Sequence, residues 1–267
     1  MKLRNRVMLI PWIWNHPSNR GRRIPALGRA ASFQIRGRLL NKPTLARVGK
    51  TARVLAEVGS ASAARAVYAN PADVPEMLVW QRVLSPGQIF VDVGANIGLY
   101  SVFAADLGAH VIAIEPGPKT AARLRRNVRL NDLSIEVVEA AVTDHTGFTE
   151  FDTSGDTTAR LGKGIKVAAT TLDTILDGRQ CAGVKIDVEG FERLVIEGGT
   201  SALAEHRIGC LQIEWNRLSE RHLGESREPI ARLMARFEYA LYRPNSAGTL
   251  IPTGADFGAD IFALPRD

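Results

Sequence analysis

Strand and helix patterns alternate through the middle of this chain, which predicts an α/β fold with a parallel sheet wound on both faces. Three observations carry that expectation. The first is the run Ile89-Phe90-Val91-Asp92-Val93-Gly94-Ala95-Asn96-Ile97-Gly98. It reads as a buried strand, a tight glycine turn and the start of the helix that continues through residues 99–105. The second is that later apolar runs also end in acids, at Glu115, at Asp187 with Glu189, and at Glu214. The third is the turn chemistry between runs, such as Ser85-Pro86-Gly87 and Pro116-Gly117-Pro118. Right-handed crossovers then gather the strand tips, and any ligand, along one edge.

Taken in order, residues 1–56 are arginine-rich, and 44–69 carry Ala, Val, Leu and Arg at helical spacing. Residues 74–84 read as a helix stopped by Ser85-Pro86-Gly87. Then come strand 88–93, helix 98–107, strand 110–114, helix 119–131 and strand 135–141. The pattern pauses at 143–169, where 147–151 and 165–170 alternate like strands around a Gly/Thr/Asp-rich loop. A hairpin-like insertion near the ligand edge is expected there. A helical turn at 172–176, a strand at 184–188, a helix at 191–204, a strand at 209–215 and a helix at 228–237 follow. Strands 239–243 and 260–264 close the chain, and the long Gly/Pro-rich loop between them allows an antiparallel pair. The expected division is a basic, partly helical extension over 1–73 and a main domain over 74–267.

The formal net charge of +6 hides an asymmetry. Residues 1–56 hold thirteen Lys or Arg and no Asp or Glu, and the remainder holds twenty-one basic against twenty-eight acidic residues. The main domain is therefore no broad nucleic-acid surface, and no nucleic-acid partner is expected. No run of eighteen apolar residues occurs, so no transmembrane helix is expected. The apolar knot at 7–14 is broken by Pro11 and lacks a small-residue cleavage site, unlike a signal peptide. An acid-free, arginine-rich start also has the composition of an organelle transit peptide, which nothing else supports. Trp12 and Trp14 beside arginines suit peripheral contact with anionic lipid. The competing reading is a solvated basic arm whose aromatic residues tuck onto the main domain. Cys181 and Cys210 fit neither a disulfide framework nor a zinc spacing. Buried free thiols fit a reducing compartment, so a cytoplasmic location is expected. The oligomeric state is left open.

The turn after the first strand can receive both charges of an amino-acid-like ligand. The helix start offers unpaired N–H groups to an anion. Asp92 favours a cation, or binds a hydroxyl or amine. Gly94 and Gly98 let a ligand approach the backbone closely. With Asn96 between them, the spacing departs from the G-x-G-x-x-G dinucleotide fingerprint and suits a pyrophosphate poorly. Glu115 ends the second strand, where an acid can bond both hydroxyls of a ribose; the alternative is a charge at a helix start. Ala141 and Val142 leave room for an adenine to meet backbone groups. Lys185, Asp187 and Glu189 alternate onto one side. Two carboxylates there call for a cation, a shared proton or the positive group of a ligand. A plain salt bridge among Lys185, Asp187 and Arg193 is the alternative. Glu214 and Asn216 occupy the next tip, where their oxygens could help hold a hard divalent ion or position a substrate by hydrogen bonds. None of the five histidines sits with a serine or cysteine elbow, so hydrolase chemistry is not indicated; His145 reads as a surface residue.

The motifs Phe90-Val-Asp-Val-Gly-Ala-Asn-Ile-Gly98, Ile114-Glu-Pro116, Leu172-Asp173, Lys185-Ile-Asp-Val-Glu-Gly-Phe-Glu192 and Ile213-Glu-Trp-Asn216, taken as a set, resemble the FkbM family of S-adenosylmethionine-dependent methyltransferases. The closing Asp260-Ile-Phe-Ala-Leu-Pro265 is similar to that family's last strand. The resemblance spans residues 74–265 and leaves the first seventy residues outside. It implies a Rossmann-like, seven-stranded class I methyltransferase sheet with an antiparallel last strand. It implies S-adenosylmethionine as cofactor and O-methylation of a sugar, glycolipid or small natural-product hydroxyl. Carried onto this chain, Asp92, Gly94, Asn96 and Gly98 would hold the methionine part, Glu115 the ribose, and Asp187 and Glu189 would lie beside the methyl group. A hydroxyl is a weak nucleophile, and Asp187 or Glu189 is the expected base. The rivals are a nicotinamide-dependent oxidoreductase, which the missing G-x-G-x-x-G fingerprint disfavours, and a non-catalytic binding protein retaining the fold.

Overall fold

The computed structural model describes residues 9–153, 160–161 and 164–266. Val7 and Met8 of the apolar knot and most of the loop at 153–164 lie outside the described residues. The N-terminal part comprises α1 (Leu9–Asn15), α2 (Arg23–Leu39), β1 (Thr44–Arg47), β2 (Arg53–Ala56) and α3 (Ala61–Tyr68). The central part follows as α4 (Val74–Val83), β3 (Ile89–Val93), α5 (Leu99–Asp106), β4 (His110–Ile114), α6 (Pro118–Arg129) and β5 (Ile135–Val138). An insertion carries β6 (Ala141–Val142), β7 (Gly147–Asp152), β8 (Arg160–Leu161) and β9 (Ile165–Thr170). The chain continues through α7 (Leu172–Leu176), β10 (Gly183–Ile186), α8 (Glu192–Glu197), α9 (Thr200–Ala204) and β11 (Leu211–Ile213). It closes with α10 (Leu218–Leu223), α11 (Glu228–Arg236), β12 (Tyr239–Pro244), β13 (Leu250–Pro252) and β14 (Ile261–Pro265).

The central sheet has eight strands in the order β13-β12-β14-β11-β10-β3-β4-β5. From β11 to β5 the neighbours are parallel, and β14 runs antiparallel to both β11 and β12. This is the doubly wound α/β sheet with an antiparallel last strand that was expected, plus one edge strand. The extra strand is β13, which pairs Tyr242 with Pro252 and Pro244 with Leu250. Three residues inside a turn-rich loop are too few to show a period. The parallel strands are buried on both faces, and alternation divides their side chains. Val91, Val93, Ile112, Ile114, Val184 and Ile186 enter one core cluster, while Phe90, Val111 and Ala113 enter the other.

The N-terminal segment joins the second of these clusters: Ile13, Ala26, Phe33 and Val54 share it with Trp80, Phe90 and Phe103. Its β1–β2 hairpin corrects the helical reading of 44–69, of which Ala61–Tyr68 alone is helix among the described residues. The reason lies at a distance. Asp106 at the end of α5 accepts the N–H groups of Thr51 and Ala52 at 3.2 and 3.1 Å, and so shapes the hairpin turn. Asn131 grips Arg53 from the other side, donating to its carbonyl at 2.8 Å and accepting from its N–H at 2.9 Å.

Other boundaries move for local reasons. The run 135–141 divides, because β5 ends at Val138 and β6 belongs to a second sheet of order β6-β9-β7-β8. Within it β7 and β9 form the expected antiparallel pair. The 191–204 helix breaks at Gly198-Gly199, where a Cβ on Gly198 would stand 2.0 Å from the Thr143 carbonyl oxygen. Asp173 caps the resumed helix by accepting from the N–H groups of Ser201 and Ala202 at 2.9 and 2.8 Å. Cys181 and Cys210 are buried free thiols. No helix among the described residues is long and apolar enough to cross a membrane.

Candidate functional site

The tips of β3, β4, β10 and β11 open onto a cavity of about 320 Å³. Its wall brings together Gly94, Asn96, Glu115, Ala141, Val142, Asp187, Glu189 and Glu214. These eight come from five separate stretches of chain, each delivered by a strand end or the insertion. Asp92, Gly98 and Asn216 are not on the wall. Asp92 is buried behind the turn, where Oδ2 accepts from Ser101 Oγ at 2.6 Å and Oδ1 meets no hydrogen-bond partner among the described residues. Gly98 opens α5 at φ +89°, and a Cβ there would lie 2.5 Å from Leu124 Cδ1. Asn216 turns back to the chain, its Oδ1 accepting from the Leu218 N–H at 2.8 Å to start α10.

The glycine turn is shaped by protein against protein. Gly94 has φ +78°, and a Cβ would fall 1.9 Å from the Asp187 carbonyl oxygen. The tips of β3 and β10 are thus too close for any side chain between them. Asn96, at φ +52°, donates its N–H to Glu115 Oε2 at 3.0 Å. Glu115 Oε1 accepts from the Gly117 N–H at 2.9 Å, so one carboxylate ties two turns. Burial pushes the Glu115 carboxyl up to about 7, against those two N–H bonds, which favour the charged form.

A polar row crosses the sheet beneath the cavity. Asp92, Lys185 and Gln212 are register partners on β3, β10 and β11. Lys185 Nζ reaches Asp187 Oδ2 at 2.9 Å and lies 4.8 Å from the centre of the Tyr100 ring. Burial alone would lower the Lys185 ammonium; the carboxylates of Asp187 and Asp92 reverse that, and the net shift is upward. The Lys185–Asp187 salt bridge is real, and Arg193 takes no part in it, pairing instead with Glu197 and Glu225 at 2.7 and 2.8 Å.

Asp187, Glu189 and Glu214 each bring one carboxylate oxygen to a common region, within 4.8 Å of one another. Three carboxylates cannot all stay ionised so close together. Glu214 holds the proton: burial first, then Asp187, Glu192 and Glu189, raise its pKa to about 10. Its Oε2 is buried without a hydrogen-bond partner among the described residues. The trio can therefore hold a positive group, accept a proton through an ionised member, and donate one hydrogen bond through Glu214.

The turn that presents Glu189 is held from below. Glu189 and Gly190 take φ +58° and +105°. Glu192 Oε1 accepts the Gly190 N–H at 2.9 Å, and Arg227 Nη1 donates to Glu192 Oε2 at 2.7 Å in a fully buried pair. Arg227 Nε also donates to the Asn216 carbonyl at 3.2 Å, which ties the tips of β10 and β11 together. Sequence reasoning missed Arg227, and it missed Ser62 and Arg65, which α3 contributes to the wall. Nothing local marks these residues. Phe151 and Leu161, from the second sheet, also line the cavity; the alternation leading to Phe151 was visible but its direction was not, and Leu161 sits on β8 within the stretch read as a loop. His145 is on the surface and pairs with Asp144 at 2.8 Å.

A family model described as the methyltransferase FkbM domain matches residues 92–244. Over 66 residues the chain is 41% identical to 31-O-demethyl-FK506 methyltransferase FkbM of Streptomyces tacrolimicus, a match spanning 24% of this chain and 25% of that protein. Among solved structures, the chain is similar to a TehB-like methyltransferase of Corynebacterium glutamicum, with a TM-score of 0.45 and 12% identity over 73% of this chain and 89% of that one. It is also similar to the magnesium protoporphyrin IX methyltransferase of Synechocystis with bound S-adenosylmethionine, at a TM-score of 0.41 and 14% identity over 71% and 76% of the two chains. The family match covers more than half of the sequence and contains the glycine turn, Glu115 and the acidic trio, so the chain belongs to the FkbM methyltransferase family, whose cofactor is S-adenosylmethionine.

Proposed function

We propose that this protein transfers a methyl group from S-adenosylmethionine to a hydroxyl of a sugar, glycolipid or small natural-product acceptor. The observation that carries the reading is the convergence of Asp187, Glu189 and Glu214 on the wall that also holds the Gly94–Asn96 turn and Glu115. When bound, the cofactor supplies a methyl group already activated on a sulfonium sulfur. The residues present suit it. The Glu115 carboxyl offers oxygens to ribose hydroxyls, Ala141 and Val142 leave space for a flat purine, and the turn offers backbone groups to the amino-acid end. The trio adds negative potential that favours a cationic sulfur.

The chain's own work is positioning and proton transfer. Asp187, about a third exposed and anchored by Lys185, accepts the proton of the acceptor hydroxyl as its oxygen bonds to the methyl carbon, with Glu189 as the alternative base. The electron pair of the broken carbon–sulfur bond stays on sulfur, which leaves S-adenosylhomocysteine. Glu214, neutral at physiological pH, donates a hydrogen bond that orients the acceptor. The test is incubation of the full chain with methyl-labelled cofactor and a panel of hydroxylated acceptors. Label on an acceptor oxygen together with S-adenosylhomocysteine is expected. Label on nitrogen, or cofactor binding by calorimetry without turnover of any acceptor, would overturn the assignment.

A further inference from the structure

The outer face of α2 has no use in methyl transfer. Of the twelve large hydrophobic side chains exposed among the described residues, eight fall between Ile10 and Leu45. Single exposed apolar residues are ordinary; a concentration of them on one short segment is not. On α2, Ala26, Ala30 and Phe33 point into the core. Ile24, Ile35 and Leu39 fall at helical spacing on the opposite side, and Ile24 and Leu39 are each 77% exposed. Trp14 on α1 extends the apolar surface, with the Arg23 guanidinium 5.2 Å from the centre of its ring, whereas Trp12 packs against His16 and Tyr68. Arg36 and Arg38 flank the stripe, and no salt bridge engages either among the described residues. The sequence supplies no acid anywhere in residues 1–56.

We infer that this face of α1 and α2 docks on an anionic lipid bilayer, with α2 lying in the interfacial plane. The charge decides among occupants. A second copy of the same face would set arginines against arginines with no carboxylate to separate them. A nucleic acid would reward the arginines and leave Ile24, Ile35 and Leu39 in water. An anionic membrane satisfies both: the apolar side chains, Trp14 among them, enter below the headgroups, while the arginines meet phosphates and carboxylates. The inference is independent of the proposed acceptor and of catalysis.

Co-sedimentation of the full chain with vesicles tests it. Vesicles of phosphatidylcholine with roughly a third phosphatidylserine should pull the protein down, pure phosphatidylcholine should do so far less, and about 0.5 M salt should release much of it. Arg36→Glu with Arg38→Glu should weaken partition on the order of fivefold or more for each arginine removed. Ile35→Asp with Leu39→Asp should weaken it about tenfold or more. All four side chains are exposed, so the melting temperature of each variant should match that of the parent and excludes unfolding as the cause. Failure to sediment with the anionic vesicles would overturn the inference. So would undiminished binding by both variants, or a dimer in sedimentation equilibrium that Ile35→Asp with Leu39→Asp dissociates.

Discussion

Asp187 and Glu214 lie side by side on the cavity wall yet differ in burial: the Asp187 side chain is 37% exposed and salt-bridged to Lys185, whereas burial and the neighbouring carboxylates push the Glu214 carboxyl far above the usual carboxylate range. If Asp187 is the base, Asp187→Asn should lower methyl transfer by about 10²–10⁴-fold while the cofactor Kd in calorimetry changes little. Equal losses in both would assign it a binding role. Gly94→Ala acts differently. It forces a Cβ against the Asp187 carbonyl at a positive φ, so it should cost on the order of 1–3 kcal/mol of stability, read as a fall in melting temperature without any ligand. Glu76, on α4, is raised from 4.5 to about 7, chiefly by burial. Between those values the folded protein keeps a proton that the unfolded chain has lost. That contribution to stability is full below pH 4.5 and disappears as the pH rises through about 7. Glu76→Gln should therefore raise stability at pH 8 by roughly 1–2 kcal/mol and change it little at pH 5, as thermal melts at the two pH values would show.

The turn between β10 and α8 shows what a short element needs in order to hold a strained shape. Two consecutive positive φ values at Glu189 and Gly190 persist because Glu192 accepts from the Gly190 N–H, and Arg227 holds Glu192 in place. Arg227→Ala would strand a buried carboxylate, so denaturant unfolding should show a loss of about 3–5 kcal/mol. Catalysis should suffer more than cofactor binding, because Glu189 would lose its support. The motif Lys185-Ile-Asp-Val-Glu-Gly was legible as a strand tip bearing acids, since side-chain alternation is a local property. Arg227 was not legible, because its partner is 35 residues away and no periodicity links them. The β1–β2 hairpin was misread for the same reason. Alanine and leucine at helical spacing favour a helix, and the Asp106 carboxylate that organises the turn is more than fifty residues distant.

Helix α5 measures how the N-terminal segment and the sheet depend on each other. Every residue from Leu99 to Ala105 is buried. One side packs on β3 and β4, and β2 and α3 cover another. Removal of residues 1–73 would bare that second side, so the truncated chain should aggregate or lose its cooperative thermal transition; a monodisperse, cooperatively melting fragment would contradict this. The basic segment thus forms part of the core, and the same segment brings Ser62 and Arg65 to the cavity. Local patterning sufficed for the alternating strands and helices, the antiparallel close, the glycine turn and the acids at the strand tips, because these follow from side-chain period and backbone freedom within a few residues. Chain folding alone determined that Asp92 would be buried against Ser101, that Asn216 would cap α10, that Arg65 and Phe151 would reach the cavity wall, and that Arg227 would lie beneath it. Those outcomes depend on which distant surfaces meet, and on burial that no single stretch of sequence contains.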